Sequence, residues 1–249
     1  MLVLGLVTIG SLIISVDQIK ETIMKKIIFW TVLISVLAVF IGACAKRDDT
    51  NITAIAVTCD RTASGSITVG SDTVSSSYLM YTGTTPVTGC FAMTSTAFPT
   101  GTQSIKQQRI ITSSTTFVDY MGYFSDTACV TVISYMYNKY SSLSVGDNVT
   151  GLSTFGGSRP SSAYKVTYKS ECATAKGETD AGTEELNFRY SNTGTYLTTG
   201  TEMTFSTKTT KTTLNIWAAG NSGNSFYNGS SGTAYPSDWD NDSDTTYVK

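Results

Sequence analysis

The chain has 249 residues, a formal net charge of −2 and no histidine. So mild an acidity argues against a nucleic-acid partner, because neutralising phosphates needs clustered lysine and arginine. The absence of histidine removes Ser-His-Asp and Cys-His catalysis and the commonest transition-metal ligand. Ser-Lys and paired-carboxylate mechanisms survive in principle, but a chance near-match to their motifs means little in a chain this rich in serine. We therefore predict a protein that is not an enzyme and carries no cofactor or metal.

Residues 24–44 have the anatomy of an export signal. Lys25 and Lys26 precede the apolar run Ile27–Ile41, which is followed by Gly42-Ala43-Cys44. A positive start, an apolar core and a small-residue end are typical of a secretory signal peptide. Ile41-Gly42-Ala43-Cys44 resembles the lipobox of bacterial lipoproteins, and the resemblance implies that Cys44 is diacylated and becomes the first residue of the mature chain.

Residues 1–23 admit two interpretations. Met1–Val16 is also apolar, so it is either a first membrane helix or an over-extended start upstream of a true start at Met24. A spanning helix needs about 20 apolar residues, and both apolar runs are shorter. An uncleaved anchor helix at Ile27–Ile41 would have no reason to end on Gly-Ala-Cys. We therefore predict an N-terminal apolar signal helix within residues 1–43, of which 1–23 is an over-extended start.

The composition changes after Cys44, where Thr, Ser, Gly and Tyr dominate and helical periodicity nearly disappears. Residues 44–53 are predicted to form a polar tether, and residues 54–249 a single antiparallel β domain of about eight to ten short strands. This pattern predicts an all-β fold, either an antiparallel β-barrel or, as the alternative, a two-sheet β-sandwich.

Some strands can be assigned to faces or partners. Ser66–Gly70 and Ser76–Tyr81 are expected to pair across a turn at Gly70-Ser71-Asp72. A hairpin is expected to join Thr115–Phe124 to Cys129–Lys139. In the first of these two strands, Phe117, Asp119, Met121 and Tyr123 share one face. Tyr164–Ser170 alternates aromatic residues with lysines, which favours lysines in water and aromatics in the core.

The other segments are predicted from local composition alone. Ile105–Thr112, Glu185–Tyr190, Glu202–Thr207 and Thr212–Trp217 are strand candidates. Ser144–Asp147, Gly156-Gly157 and the polar stretch Thr174–Thr183 are predicted to be loops.

The cysteine count supports the lipobox independently. The chain has five cysteines, and lipidation of Cys44 leaves an even set of Cys59, Cys90, Cys129 and Cys172. An even set in an exported protein favours two disulfides, although four cysteines allow three pairings. A thiolate metal site lacks both a C-x-x-C pair and any histidine.

Two further groups of residues have competing interpretations. Asp238, Asp240, Asp242 and Asp244 alternate as calcium ligands can, but the EF-hand glycine and final glutamate are missing, which favours a solvated acidic tail. Aromatic residues could line a ligand cavity or simply fill the barrel, and the sequence leaves both open. These are Phe117, Tyr135, Tyr137, Tyr164, Tyr168 and Trp217.

Five short motifs lie in order along residues 86–249. They are Cys90-Phe91, Tyr123-Phe124-Ser125-Asp126-Thr127-Ala128-Cys129, Tyr140–Gly146, Gly223–Gly229, and Pro236-Ser237-Asp238 followed by Tyr247-Val248-Lys249. In this order they resemble the pattern of small bacterial lipoproteins with a lipocalin-like (calycin) barrel. The chain lacks the tryptophan expected just before the first cysteine, and residues 54–85 have no counterpart in the pattern.

The resemblance implies a lipocalin-like barrel and a Cys90–Cys129 disulfide, which leaves Cys59–Cys172 as the second pair. We expect a membrane-attached, non-catalytic protein of the cell envelope that binds a small apolar ligand in the barrel. The alternative is a structural or adhesive surface module that contacts another macromolecule. Ala45 follows the lipobox cysteine, where aspartate would resemble an inner-membrane retention signal in enteric bacteria, so an outer-membrane address is expected.

Metabolic labelling with a fatty acid tests the role of Cys44. The wild-type protein should incorporate label, and Cys44→Ser should lose it, because only the thiol can carry the thioether-linked lipid. Equal labelling of the two proteins would contradict the assignment.

Overall fold

The computed structural model describes residues 59–81, 87–93, 99–240 and 245–249. The predicted signal helix, the tether and Cys44 lie outside the described residues. Within the described ranges, no helix is long and apolar enough to cross a membrane. The elements in those ranges are β1 (Ser66–Val69), β2 (Asp72–Ser75), β3 (Ser77–Met80), β4 (Cys90–Ala92), β5 (Ser104–Ile111), β6 (Phe117–Phe124), β7 (Val132–Thr150), β8 (Ser162–Gly177), α1 (Asp180–Arg189), β9 (Met203–Ser206), β10 (Thr213–Gly220), β11 (Ser225–Asn228) and β12 (Thr245–Val248).

Eight of the described strands close into an antiparallel barrel. Their order around the barrel is β3-β5-β6-β7-β8-β10-β11-β12, and β12 returns to β3 through the pairs Tyr247–Met80 and Val248–Leu79. The prediction of an all-β barrel is therefore confirmed, and the sandwich alternative is not the fold adopted. A closed barrel pairs its strand edges with one another, which suits a Thr- and Tyr-rich chain with little helical propensity.

Two short strands extend the barrel at one end. β4 pairs with the first residues of β5, from Ser104 to Lys106, and β9 pairs with the last part of β8, from Cys172 to Ala175. The other parts of β5 and β8 pair with β3 and β10. Among the described strands, β4 and β9 each pair on one side only.

The opposite end of the barrel is plugged by the β1–β2 hairpin. Ile67, Val69 and Val74 of the hairpin belong to the same buried cluster as Phe117 and Trp217 of the barrel. The hairpin turns at Gly70, whose φ of +68° suits glycine. A Cβ at this position would also lie 2.4 Å from the Tyr164 ring.

The predicted pairing of Ser66–Gly70 with Ser76–Tyr81 is wrong. β1 pairs with β2 instead, with Val69 opposite Asp72 next to the turn and Ser66 opposite Ser75 at the far end. β3 leaves this hairpin and pairs with β5 and β12. Ser76, with a positive φ of 67°, separates β2 from β3, so β1 pairs with the residues directly after the turn and the predicted partner strand lies beyond this break.

The structure also corrects the predictions around residue 180. Glu185–Tyr190 was expected to be a strand, but Glu185–Arg189 is the second half of α1 and Tyr190 is its C-cap. Thr179 caps the helix by accepting a hydrogen bond from the Gly182 amide at 3.1 Å. Gly182 also permits close packing, since a Cβ there would lie 2.4 Å from the Ile133 carbonyl oxygen of β7.

The predicted loop at Ser144–Asp147 is instead part of a long strand, and the predicted loop at Thr174–Thr183 is divided between the end of a long strand and the start of α1, which begins at Asp180. β7 continues through Ser144–Asp147 to Thr150, and β8 continues through Thr174 to Gly177. Polar composition concealed both, because the second half of β7 is largely exposed while Thr174 is buried among polar partners, with its hydroxyl 2.9 Å from that of Thr204. The alternation predicted for Tyr164–Ser170 does place Val166 and Tyr168 in the core.

Two disulfides join described residues. Cys59 is bonded to Cys172 on β8, and Cys90 on β4 is bonded to Cys129 in the β6–β7 turn. These are the pairs that the resemblance implies. The first bond spans 113 residues and attaches the start of the described chain to the barrel wall, whereas the second spans 39 residues and attaches β4.

Loss of the two disulfides should have unequal effects on stability. Restriction of the unfolded chain grows with loop length, so replacing Cys59 and Cys172 by serine should lower the free energy of unfolding by about 1 kcal/mol more than replacing Cys90 and Cys129. Urea unfolding of the two double variants measures the difference. A larger loss in the Cys90/Cys129 variant would show that native-state contacts of β4 outweigh chain entropy.

Candidate functional site

The barrel interior is the candidate functional site, and strand alternation decides which side chains face it. On β5 the inward residues are Ile105, Gln107, Arg109 and Ile111, and they lie opposite Tyr123, Met121, Asp119 and Phe117 on β6. These four residues of β6 share one face, as their spacing predicts, and the structure shows that this face lines the interior. The opposite end from the hairpin, where Leu186 of α1 packs in one cluster with Ile105 and Tyr123, is called the helix end. From the hairpin end to the helix end, these pairs pass from aromatic to charged to methionine-rich surroundings.

The hairpin end is filled by aromatic side chains, which we call the plug layer. Its fully buried members are Tyr78, Phe117, Trp217 and Phe226. The ring of Trp217 lies edge-on to those of Phe117 and Phe226, with centroids 5.1 Å and 4.9 Å away. Edge-to-face packing of this kind stabilises a core beyond simple area burial, so this end of the barrel is solid.

An ion pair lies directly beneath the plug layer. Arg109 Nε donates to Asp119 Oδ1 and Nη2 donates to Asp119 Oδ2, both at 2.7 Å. The Arg109 side chain is only 3% exposed, whereas that of Asp119 is 27% exposed. The guanidinium carbon also lies 4.6 Å from the Phe117 ring centroid and 5.1 Å from that of Trp217, so aromatic rings also pack against the cation.

A short turn sets the register that brings this pair together. The Thr112 and Thr116 hydroxyls lie 2.7 Å apart, and the Thr112 amide donates to the Thr116 carbonyl at 3.1 Å. This closes the β5–β6 hairpin so that Arg109 faces Asp119 directly. A slip of one residue would turn every inward side chain of one strand outward.

The electrostatics of the interior follow from burial and from this pair. Burial disfavours the charged guanidinium, but the adjacent Asp119 carboxylate outweighs it and raises the pKa of Arg109 above its ordinary value. Burial raises the pKa of Tyr140, Tyr168 and Tyr247, because it disfavours the charged phenolate. The inward tyrosines are therefore neutral at physiological pH, and the charges of Arg109 and Asp119 offset each other.

Two asparagines complete what we call the polar layer, formed by Arg109, Asp119, Asn138 and Asn228. Asn138 lies opposite Asp119 in the β6–β7 pair, and its Oδ1 accepts a hydrogen bond from the Tyr190 hydroxyl at 2.8 Å. Asn228 Oδ1 accepts from Arg109 Nη1 at 2.8 Å, which connects β5 to β11 across the interior. Burial raises the pKa of Tyr190 to about 12, so its hydroxyl stays protonated as a donor.

The part of the interior below the polar layer, which we call the chamber, is lined by side chains that are not fully buried. Gln107, Asp119, Met121 and Asn138 point into the barrel, yet all retain intermediate solvent exposure. Inward side chains can be accessible only where the interior is not completely filled. The barrel interior is thus fully buried at the hairpin end and partly accessible to solvent toward the other end.

The chamber wall at the helix end is apolar and rich in methionine. Leu186 of α1 and Phe205 of β9 are buried in one cluster with Met136, against which partly buried residues pack. The flexible, polarisable thioether of methionine suits surfaces that accept ligands of variable shape. The partly buried members are Phe91, Met93, Met121, Tyr190 and Met203.

The structure divides the aromatic residues that the sequence grouped together. Phe117, Tyr168 and Trp217 belong to the plug layer side of the interior, and Tyr164 packs against it. Tyr135 and Tyr137 alternate with the inward Met136 and therefore lie on the outer face. There, Arg61 stacks 4.4 Å from the Tyr137 ring centroid and the Tyr135 hydroxyl donates to Glu202 at 2.6 Å.

The predicted acidic tail is docked at Asp238 onto the connection between β7 and β8, whereas Asp240 is exposed. Asp238 Oδ1 accepts from the Ser153 amide at 2.6 Å, and its other oxygen accepts from the Ser153 hydroxyl. Trp239 is buried and donates its indole N–H to the Pro160 carbonyl at 2.7 Å. The hydrogen bonds from the Ser153 hydroxyl and amide lower the pKa of Asp238. Asp242 and Asp244 lie outside the described residues.

Comparison of the sequence with models of protein families and with curated proteins finds no match. The barrel itself is consistent with a lipocalin-like fold, and a barrel of eight strands can either be filled by its own side chains or hold one small ligand.

Arg109 and its role were missed by sequence reasoning, although a signal was present. In a two-strand hairpin, residues equally distant from the turn face each other. Arg109 and Asp119 are such a pair around the Thr112–Thr116 turn, and Asp119 was already placed on an otherwise apolar face. A charged residue on that face requires a partner, and Arg109 is the basic residue opposite it.

Removing one member of the pair should destabilise the barrel strongly. Asp119→Ala leaves the Arg109 charge buried without its partner, so the free energy of unfolding should fall by about 3 kcal/mol. Glu178→Ala removes a partner from the more exposed Lys176–Glu178 pair and should cost less than about 1 kcal/mol. Urea unfolding compares the two. Equal losses of stability in the two variants would contradict the prediction that the buried Arg109–Asp119 pair matters more than the more exposed pair.

Proposed function

We propose that this protein is a lipid-anchored, non-catalytic lipoprotein of the cell envelope that binds a small apolar ligand in its barrel. The chamber carries the proposal, because inward residues on β5, β6 and β7 retain accessible surface beside a methionine-rich wall. Ligand sites are typically concave and mostly apolar with a few placed polar groups. The chamber has this composition, with the polar layer at one side and apolar side chains at the other.

The proposed attachment rests on the sequence between Lys25 and Cys44 and on the disulfides. The lipobox resemblance supplies the lipid site at Cys44, and Ala45 favours the outer membrane. Disulfides between Cys59 and Cys172 and between Cys90 and Cys129 support residence in an oxidising compartment.

Adjacent positions on β5 provide a matched test of the chamber. Gln107 faces the interior and Gln108 faces outward, so Gln107→Trp should fill the chamber whereas Gln108→Trp should not. The neutral dye Nile red should gain fluorescence with the wild type and with Gln108→Trp. Gln107→Trp should weaken its binding at least tenfold, because the added ring occupies the space that the dye needs.

The proposal fails if Nile red does not bind, or if both tryptophan variants bind it equally well. Circular dichroism and an unfolding curve for each variant separate loss of the site from loss of the fold. Native mass spectrometry of the purified wild type then identifies any co-purified lipid or metabolite.

An adhesive surface module is the second candidate, and the outer tyrosines favour it. Tyr120 of β6 and Tyr137 of β7 lie with ring centroids 4.8 Å apart, and Tyr135 continues the row at 5.8 Å from Tyr137. Aromatic residues on a surface are typical of macromolecular contacts. If this candidate is correct, replacing Tyr135 and Tyr137 by alanine will abolish cell-surface adhesion while Gln107→Trp leaves it intact.

A further inference from the structure

The hydrogen-bonding character of the chamber is set by Asp119. Each of its carboxylate oxygens accepts one hydrogen bond from Arg109, but an ionised carboxylate can accept about four. Its side chain keeps 27% of its surface accessible. Since Asp119 points into the barrel, this surface faces the chamber and offers only acceptor lone pairs.

Arg109 presents no comparable donor surface to the chamber. Nε and Nη2 donate to Asp119, and Nη1 donates to Asn228. The rest of the guanidinium lies against the rings of Phe117 and Trp217, which leaves the side chain 3% exposed. An anion entering the chamber would therefore meet the carboxylate and not the cation.

The asparagines do not reverse this asymmetry. Asn228 Nδ2 donates to the Gly229 carbonyl at 3.0 Å, so the amide is engaged on both sides. Asn138 is uncharged, and its Oδ1 is occupied by the Tyr190 hydroxyl. A neutral amide beside Asp119 could assist a hydroxyl group but could not offset the desolvation of a carboxylate.

We propose that the chamber selects amphipathic molecules whose polar end donates a hydrogen bond, an aliphatic alcohol or amine, over molecules that end in a carboxylate. This inference rests on the proposed binding function and specifies the chemical class of its ligand. The apolar body packs on the methionine-rich wall, and the donor end reaches Asp119. Selection arises because a carboxylate would lose its hydration and face a like charge, whereas a donor satisfies an accessible acceptor.

Competition between molecules that differ only in their polar end tests the inference. Decanol, decylamine and decanoate are titrated against bound Nile red, which has no acidic or basic end group at neutral pH. Decanol and decylamine should displace the dye at concentrations at least tenfold lower than decanoate. Asp119→Asn, which removes the charge and adds an amide donor, should reduce this preference below threefold.

Asp147→Asn is the matched control, because it makes the same chemical change at an exposed position on β7. It should keep the wild-type preference. If Asp119→Asn does not fold, the wild-type series alone still shows whether decanol and decylamine bind more tightly than decanoate. If decanoate binds as tightly as decanol and decylamine, the inference is overturned, although the chamber would still be a binding site. A failure of Nile red to bind at all would instead overturn the proposed function.

Discussion

The burial of Arg109 is the constraint on which the rest of the barrel depends. A guanidinium taken out of water is tolerated only where its charge and its N–H groups find partners. Asp119 on β6 supplies the charge and Asn228 on β11 supplies a further acceptor. A single side chain on β5 thus requires correct placement of a neighbouring strand and of a strand formed more than a hundred residues later. Alternative registers would leave this charge unpaired.

The same side chain divides the interior into two parts with different properties. On one side the aromatic rings and the β1–β2 hairpin form a solid core, in which Trp217 and Phe117 are fully buried. On the other side the residues are longer, more flexible and partly accessible, as Met121 and Gln107 illustrate. The aromatic part holds the largest buried apolar cluster among the described residues and therefore contributes strongly to stability, whereas several residues around the methionine-rich part are only partly buried.

Sequence reasoning succeeded where period-two alternation was strong and failed where tertiary partners decided the outcome. Phe117, Asp119, Met121 and Tyr123 were placed on one face because their spacing alone determines it. Glu185–Tyr190 was misassigned because the helical signals are local and brief. They consist of a Thr179 cap and a Glu185–Arg189 pair, in a helix of only ten residues. The partial exposure of inward residues such as Gln107 and Met121 could not be predicted, since it depends on which inward side chains meet across several strands.

The Cys59–Cys172 bond determines how mechanical load would enter the domain. Residue 59 stands at the start of the described chain and is covalently joined to β8, in the wall of the barrel. A pull on the chain before Cys59 is therefore transmitted to β8 before it reaches β1. The hairpin that plugs the barrel lies within the 113-residue loop closed by this bond, so tension cannot peel Ile67 and Val69 out of the core while the disulfide is intact. Reduction of the bond would redirect the same force to the β1–β2 hairpin.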